Sequence, residues 1–279
     1  MIYRIVTDST ADLPPKLAKE LNISVVPEYV RFGDKVYRDR VDISEDEFYQ
    51  RLLHGPIHPS TTQPTPQDFA EVYQNLSQDA DGIISIHLSS KLSGTYNSAL
   101  QGKELVKSRC PIEVIDSQVL TMSLGLLVIE ATTIAKSGES IQQVVEEIKR
   151  AIPSIRFLAI LDTLKYLAIG GRIGKVQALL GSVLSVKPML SIENGELVPV
   201  SRVRTRANGI GKLFDFVKNA TSIQDLAIVH NTTPDEALAL AGRIGSMFPK
   251  EQIRLARLGP ALGVHAGPGV LAVALRGIV

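Results

Sequence analysis

The stretch SSKLSGTYNSA at residues 89–99 gathers hydroxyl side chains and one glycine where an apolar strand pattern changes to a helical pattern. Such a position matters because the first backbone N–H groups of a helix have no partner inside it and attract anions. Ser93 could cap its own helix, or it could point with the Gly94 N–H toward a ligand carboxylate or phosphate. This stretch alone leaves both interpretations open.

A second set of neutral donors, Thr61 and Thr62, lies in HPSTTQP at residues 58–64, just before another predicted helix. If these residues and Ser93 follow adjacent strands of a doubly wound sheet, they converge at one edge of that sheet. A phosphate usually draws Lys or Arg as well, whereas a carboxylate can be held by a few neutral donors and a helix terminus. The nearby cation, Lys91, is interpreted as a solvated surface residue, so the pattern favours a carboxylate.

Two further residues are candidates for the same site. His265 lies in LGPALGVHAGPG at residues 258–269, where four glycines and two prolines predict a rigid loop that brings the imidazole to a ligand. Asp8 follows the first strand pattern, at the sheet edge where ligands bind in doubly wound folds. Asp and Ser also favour turns for local reasons, so Asp8 is either a residue that orients the site or a turn former.

The familiar catalytic motifs are missing from the sequence. It contains no Walker loop, complete GxGxxG, GxSxG, SxxK or HExxH pattern. His54 and His58 have helical spacing, but Gly55 and Pro56 lie between them and argue against a helix there. We therefore expect neither a metal site nor a cofactor.

The composition narrows the possible partners. Of the 279 residues 44% are hydrophobic, and 30 Lys and Arg nearly balance 29 Asp and Glu, so the overall charge favours neither nucleic acid nor an anionic membrane. Cys110 is the single cysteine, which excludes a disulfide within these residues and suits a reducing compartment. No signal-type segment and no long apolar run is present. We expect a soluble cytoplasmic protein without stable membrane insertion.

Strand and helix patterns alternate from residue 2 to about 150, which predicts a largely parallel sheet covered by helices on both faces. In the second half, Asn194 and Gly195 separate two alternating runs and predict a type I′ hairpin, so antiparallel pairing enters there. The predicted fold is α/β with two domains. Residues 1–153 form a doubly wound N-terminal domain, and residues 154–279 form a mixed α+β domain that contains the hairpin.

Several segments taken together resemble the DegV family, the bacterial fatty-acid-binding proteins that include the binding subunits of the fatty acid kinase system. The segments span nearly the whole chain in order: TDSTADLP at 7–14, STTQPTP at 60–66, SSKLSGTYNSA at 89–99, Asp116 and Ser117, YLAIGGRIGK at 166–175, KPMLSIENGELVPVSRVR at 187–204, and HAGPG at 265–269. The sequence departs from the family pattern at Thr62, where Ser is usual, at Ala168 and Ile169, and at Ala266.

The resemblance implies a long-chain fatty acid buried between two α/β domains. At the matching positions it assigns the carboxylate to Thr61 and Ser93, with Thr62 and the Gly94 N–H in support and His265 completing the pocket. It further implies that a separate ATP-dependent kinase receives the carboxylate and makes acyl phosphate for phospholipid synthesis, while the binding protein performs no chemistry.

The basic residues after the hairpin, Arg202, Arg204 and Arg206, are either contacts for that kinase or solvated residues, and the same two interpretations apply to Arg172. An enzyme remains the alternative: a hydrolase or phosphoryl-transfer protein that uses Ser93 with His265 and Asp8. A carrier of another amphipathic carboxylate, or a sensor that responds to lipid, is a third interpretation.

Overall fold

The structure, a computed structural model, describes residues 1–179 and 186–277. In the first half of the chain the strands are β1 (Tyr3–Asp8), β2 (Ile23–Val26), β3 (Tyr29–Phe32), β4 (Lys35–Arg38), β5 (Ser60–Thr62), β6 (Gly82–His87) and β7 (Ile112–Asp116). The helices of this half are α1 (Pro15–Glu20), α2 (Glu45–His54), α3 (Pro66–Leu76), α4 (Thr95–Leu105), α5 (Thr121–Ile134) and α6 (Ile141–Ala151).

The second half is richer in long strands. Its strands are β8 (Ile155–Ile160), β9 (Lys187–Glu193), β10 (Glu196–Val203), β11 (Asp225–His230), β12 (Ile253–Arg257) and β13 (Leu271–Arg276). Its helices are α7 (Lys165–Ile169), α8 (Arg206–Lys218), α9 (Pro234–Ile244) and α10 (Pro260–Ala266). Short 3-10 helices cover Ser9–Ala11, Ile152–Ser154, Gly174–Leu179 and Lys250–Gln252.

The first sheet has the strand order β2-β1-β6-β7, and all of its pairs are parallel. This confirms the parallel sheet predicted for the first half of the chain. Strand β6 is buried along its whole length, as expected for a strand that helices cover on both faces. The second sheet has the order β10-β9-β8-β13-β11-β12 and is antiparallel except for the pair β11 and β12.

The predicted hairpin is confirmed as the connection between β9 and β10. Asn194 and Gly195 form its turn, with φ angles of 49° and 82°, and the two strands pair antiparallel from Glu193 and Glu196 outward. Positive φ at both turn positions is what a two-residue I′ turn requires, and Asn and Gly adopt it at the lowest cost.

A third sheet, with the order β4-β3-β5, was not predicted. It is small and antiparallel, and it contains Thr61 and Thr62 in β5, paired with β3. The sequence also gave no prediction for β13, which pairs with β8 on one side and β11 on the other. The run LAVALR is apolar up to its final arginine and has no alternation that would distinguish a central strand from other buried segments.

The prediction of a rigid loop over residues 258–269 was wrong, because Pro260–Ala266 form helix α10. Pro260 occupies the first helical position, and Gly267, with a φ of 70°, ends the helix. Proline at the start and glycine just past the end are ordinary helix boundaries, so these residues delimit a short helix. His265 therefore lies in the last turn of α10.

Helix α5 joins the two large sheets through a common hydrophobic core. Its sequence, TMSLGLLVIEATTI, is apolar on nearly every face, which is typical of a buried helix. It packs against β1 and β6 of the first sheet and against β8, β11 and β13 of the second. Residues from both sheets belong to the same buried cluster. The boundary between domains at residues 153 and 154 stays a prediction.

Helices α3 and α4 approach each other closely at Gly102, and this contact can be tested. A Cβ on Gly102 would lie 2.6 Å from the Cβ of Phe69 and 2.7 Å from the carbonyl oxygen of Pro66. We expect Gly102→Ala to lower the free energy of unfolding by about 1–3 kcal/mol, because the backbone of α3 has to move. Urea denaturation followed by circular dichroism measures the change.

Gly242→Ala is the matched control, since Gly242 lies in helix α9 and a Cβ there would have no neighbouring atom within 4 Å. The control should leave stability unchanged or raise it by up to about 1 kcal/mol, since alanine is the better helix former. Equal stability of the two variants would contradict the proposed contact between α3 and α4.

Candidate functional site

A cavity opens along the seam between the two large sheets. It has about 890 Å³ of space free of protein atoms, including the part that opens to solvent. Sixteen of the twenty-three lining residues are hydrophobic, and they come from both halves of the chain, as Leu88, Leu92, Phe157 and Leu190 illustrate. The walls therefore suit a long apolar ligand.

Seven polar residues line the same cavity: Thr10, Glu28, Thr61, Ser93, Thr121, Arg172 and His265. Two of them are already committed to buried carboxylates. Thr10 donates to Asp8, and Thr121 donates to Asp12 with an oxygen–oxygen distance of 2.6 Å. The other five form the polar part of the wall that could bind the head group of a ligand.

Ser93 lies in the loop between β6 and α4, and it does not cap the second or third residue of that helix. Its Oγ is 2.8 Å from the Oγ1 of Thr95 and accepts a hydrogen bond from the Thr95 N–H at 3.3 Å. The helix begins at Thr95, with Gly94 as its N-cap. Ser93 thus keeps its side chain at the cavity wall, beside the start of the helix.

The other hydroxyls of the cluster hold the loop in place. The buried Ser89 donates to the carbonyl oxygen of Gly195 at 2.7 Å, and Ser90 donates to Asp116 at 2.5 Å. Lys91 lies on the surface, with its Nζ 3.8 Å from Glu196. One serine of the cluster, Ser93, lines the cavity, and its neighbours fasten the loop to the hairpin and to β7.

Thr61 reaches the cavity from the third sheet and not from the edge of the parallel sheet, so the predicted route of convergence was wrong. Along β5, side chains alternate between the two faces, and Thr61 is half-buried while Thr62 is exposed. Thr62 consequently does not line the cavity. Gly94 does not line the cavity either. Its N–H donates to no residue that the structure describes.

His265 approaches the cavity from the last turn of α10. Its Nε2 lies 2.8 Å from the Oγ1 of Thr61, and its Nδ1 is buried without a hydrogen-bond partner among the described residues. Burial, together with the positive charge of Arg172 and the neighbouring His58, lowers the pKa of His265 to about 4. The imidazole is therefore neutral at pH 7.

Gly170, at the end of α7, sets the position of this imidazole. A Cβ on Gly170 would overlap the Nδ1 of His265, so only glycine leaves room for the ring. Arg172 donates from the same turn to the carbonyl oxygens of Gly170 at 2.8 Å and Leu92 at 3.3 Å. Arg172 is exposed yet lines the cavity, which places a fixed positive charge at its mouth.

Glu28 is a cavity residue that the sequence analysis missed. Its side chain accepts a hydrogen bond from the Oγ1 of Thr95 at 2.5 Å, and the residue is only 4% exposed. Burial, followed by the negative charge of Asp8, raises the pKa of Glu28 well above its ordinary value. The available signal was a single carboxylate within the apolar extended stretch ISVVPEYVRF at residues 23–32.

Asp8 is fully buried and serves the local structure. It accepts hydrogen bonds from the Thr10 N–H at 3.0 Å and the Leu88 N–H at 3.2 Å, and it lies 2.9 Å from the Nδ1 of His87. Asp8 does not line the large cavity. It binds His87, while His265 binds Thr61, so Ser93, His265 and Asp8 do not form the hydrogen-bonded chain that a nucleophile and its base require.

The basic residues at the end of β10 and just beyond it divide into two groups. Arg202 is exposed and donates to the carbonyl oxygen of Ala178 at 3.0 Å, and Arg204 is exposed as well. The Arg206 side chain instead makes hydrogen bonds within the protein. It binds Glu236 through two nitrogens and donates to the carbonyl oxygen of Gly269 at 2.6 Å, which holds the segment before β13.

Two features of the described residues limit other kinds of site. Within residues 1–179 and 186–277, no cluster of three or more His, Cys, Asp or Glu side chains has the arrangement to bind a metal ion. The same residues contain no helix with the length and apolar character needed to cross a bilayer.

Comparison with known proteins identifies the family of this chain. The family model described as "Uncharacterised protein, DegV family" matches residues 3–277. A DegV domain-containing protein of Caldanaerobacter subterraneus subsp. tengcongensis is 37% identical over an alignment of 274 residues that covers 96% of each chain.

Solved structures share the whole fold. A DegV family protein of Thermus thermophilus, described for its fatty acid binding, has a TM-score of 0.90 and 31% identity, with both chains covered completely. A stearic-acid-binding protein of Eubacterium ventriosum has a TM-score of 0.89 and 27% identity, with coverage of 99% of this chain and 98% of that one. Since the family model and relatives above 30% identity span nearly all of the sequence, this chain belongs to the DegV family.

Proposed function

We propose that this protein binds one long-chain fatty acid in the cavity between its two large sheets and presents the carboxylate to a separate ATP-dependent kinase. The observation that carries the proposal is the composition of the cavity wall, which is hydrophobic except for a few donors contributed by separate elements. The fatty acid binding described for DegV proteins of the same fold supports it.

The apolar wall supplies most of the affinity. Burial of one CH₂ group contributes about 0.8 kcal/mol, so a tail of about 14 methylenes contributes on the order of 11 kcal/mol before the costs of association. A hydrogen bond to a charged group adds only about 1.5–3 kcal/mol. The head group contacts therefore orient the ligand and prevent an unsatisfied buried carboxylate, which would be costly.

Thr61, Ser93 and His265 are the proposed head-group residues. A neutral His265 that carries its proton on Nε2 donates to Thr61, which leaves the Thr61 hydroxyl hydrogen for the ligand. Arg172, which is exposed and lines the cavity, adds a positive charge. Thr62, on the exposed face of β5, and Gly94, outside the cavity lining, are not part of this proposed contact set.

The proposed transfer to a kinase requires a carboxylate near the surface of the protein. Arg172 is exposed and at the same time lines the cavity, so the polar end of the slot is the end that an enzyme could reach. Arg202 is exposed on β10 and is a candidate contact for such a partner. In this role the protein is a cytoplasmic carrier that performs no chemistry itself.

The identity of the ligand is tested by native mass spectrometry of protein purified from bacterial cells. We expect about one fatty acid per chain, because burial of the tail makes release into water unfavourable. Extraction into organic solvent and mass analysis then identify the acid. Recovery of a different amphipathic carboxylate, or an empty protein that hydrolyses esters or phosphates without a partner, would contradict the proposal.

Substitution of Ser93 separates the orientation of the head from the binding of the tail. Ser93→Ala should weaken fatty acid binding by no more than about tenfold, because the tail supplies most of the affinity. It should reduce acyl phosphate formation by a fatty acid kinase partner more strongly than it reduces binding, since the carboxylate loses a directed donor. Titration with a fluorescent fatty acid measures binding, and a coupled ATPase assay measures transfer.

Ser90→Ala is the matched control, since Ser90 belongs to the same loop but binds Asp116 and does not line the cavity. It should support acyl phosphate formation by the kinase as the wild type does. A Ser93→Ala variant with wild-type transfer would exclude Ser93 as an orienting ligand.

Gly170→Ala tests the position of His265. The added methyl group overlaps the Nδ1 of the imidazole, so the ring has to move away from Thr61 and the head site loses its alignment. We expect a loss of acyl transfer of at least about tenfold, in line with the cost of misplaced reacting groups. Gly211→Ala, in α8 with no atom within 4 Å of the added Cβ, is the control and should transfer normally.

A further inference from the structure

The hydrogen-bond chain from Glu28 through Thr95 to Ser93 constrains how Ser93 can use its only hydroxyl hydrogen. The Oε1 of Glu28 is 2.5 Å from the Oγ1 of Thr95, which is 2.8 Å from the Oγ of Ser93. Each of the two hydroxyl groups has one hydrogen to donate. The direction of donation at one end of the chain therefore fixes the direction at the other end.

An ionised Glu28 has no hydrogen and can only accept. Thr95 then donates its hydrogen to Glu28, and the hydrogen bond between the two hydroxyls has to use the hydrogen of Ser93. In this state Ser93 presents only lone pairs to the cavity, and a ligand carboxylate would meet a second acceptor.

A protonated Glu28 permits the opposite direction. Its carboxyl O–H donates to Thr95, the Thr95 hydroxyl donates to Ser93, and the Ser93 hydrogen becomes available to a ligand. The Thr95 N–H, 3.3 Å from the Oγ of Ser93, occupies a lone pair in either state and leaves this direction open.

We propose that Glu28 is a positioning residue for the fatty acid head group: with its proton in place, the chain through Thr95 turns the Ser93 hydroxyl into a donor for the ligand carboxylate. Binding of the ionised acid is then accompanied by retention or uptake of one proton at Glu28. This inference rests on the proposed function, because it assigns a role within the same head site.

The charged groups around Glu28 favour the protonated state. Asp8 at the end of β1 is buried, and its negative charge raises the pKa of Glu28 further, after the larger effect of burial. Asp39 after β4 acts in the same direction when it is ionised, and burial raises its own pKa to about 7. The positive charge of Arg172 and the hydrogen bond from Thr95 act in the opposite direction. His265, on α10, is neutral at pH 7 and adds no charge.

We call the chain from Glu28 through Thr95 to Ser93 the relay. Calorimetric titration of the full chain with palmitate between about pH 6.5 and 9 tests it, since the free acid is already ionised over this range. As pH rises and Glu28 loses its proton, wild-type affinity should fall by up to about tenfold per pH unit. Repeating the titration in buffers of different ionisation enthalpy counts the protons taken up, and we expect up to one per palmitate bound.

Two variants distinguish the relay from other effects of charge. Glu28→Gln keeps a donor for Thr95 at every pH, so the pH dependence and the proton uptake should both disappear. Thr95→Val interrupts the chain and leaves Ser93 its hydrogen, while Glu28 remains able to ionise. Its affinity should also be independent of pH, within about twofold.

Each outcome separates the relay from the carrier function. A flat wild-type profile, or a slope that Glu28→Gln retains, would overturn the relay and leave fatty acid binding intact. A slope lost in Glu28→Gln but kept in Thr95→Val would assign the effect to direct repulsion of the ligand by Glu28, and would also overturn the relay. Absence of palmitate binding at every pH would refute the proposed function and the relay together.

Discussion

The polar end of the cavity depends on one constraint: a carboxylate that leaves water must receive hydrogen bonds or opposite charge, or burial becomes prohibitively costly. Arg172 is the one permanent cation among the described lining residues, and it lies at the mouth. The other candidate donors are hydroxyl groups, which donate or accept according to their own partners. The hydrogen-bond partners of Thr61 and Ser93 thus determine whether these hydroxyls can donate to an anion. His265 bonds to Thr61, and Glu28 is connected to Ser93 through Thr95.

Helix α5 determines where such a slot can exist. It fills the seam between the two large sheets with side chains buried from Met122 to Val128, and it contacts strands of both. At its N-terminal end, Leu120 and Thr121 line the cavity. The hydrophobic core and the apolar ligand site therefore lie in the same seam between the two sheets. The N-terminal end of α5 separates the core from the cavity.

The sequence predicted features that depend on local chemistry and missed those that depend on tertiary contacts. The Asn194 and Gly195 turn depends on local chemistry, and it is confirmed. Thr61 and Ser93 line the same cavity, yet the third sheet that places Thr61 requires pairing between distant segments. Strand β13 and the buried state of Glu28 were missed for the same reason, since no periodicity marks either one.

The position of His265 is fixed from both ends of α10. At the start of the helix, the buried Asp12 accepts a hydrogen bond from the Gly259 N–H at 2.9 Å and pairs with Arg40 at the same distance. Burial raises the pKa of Asp12, while Arg40 and the Thr121 hydroxyl favour its ionised form, and the resulting pKa is about 6. At the other end, Thr61 and Gly170 hold the imidazole. Because Asp12 and Thr121 belong to the first half of the chain and α10 to the second, the head site is assembled only when the two halves are docked.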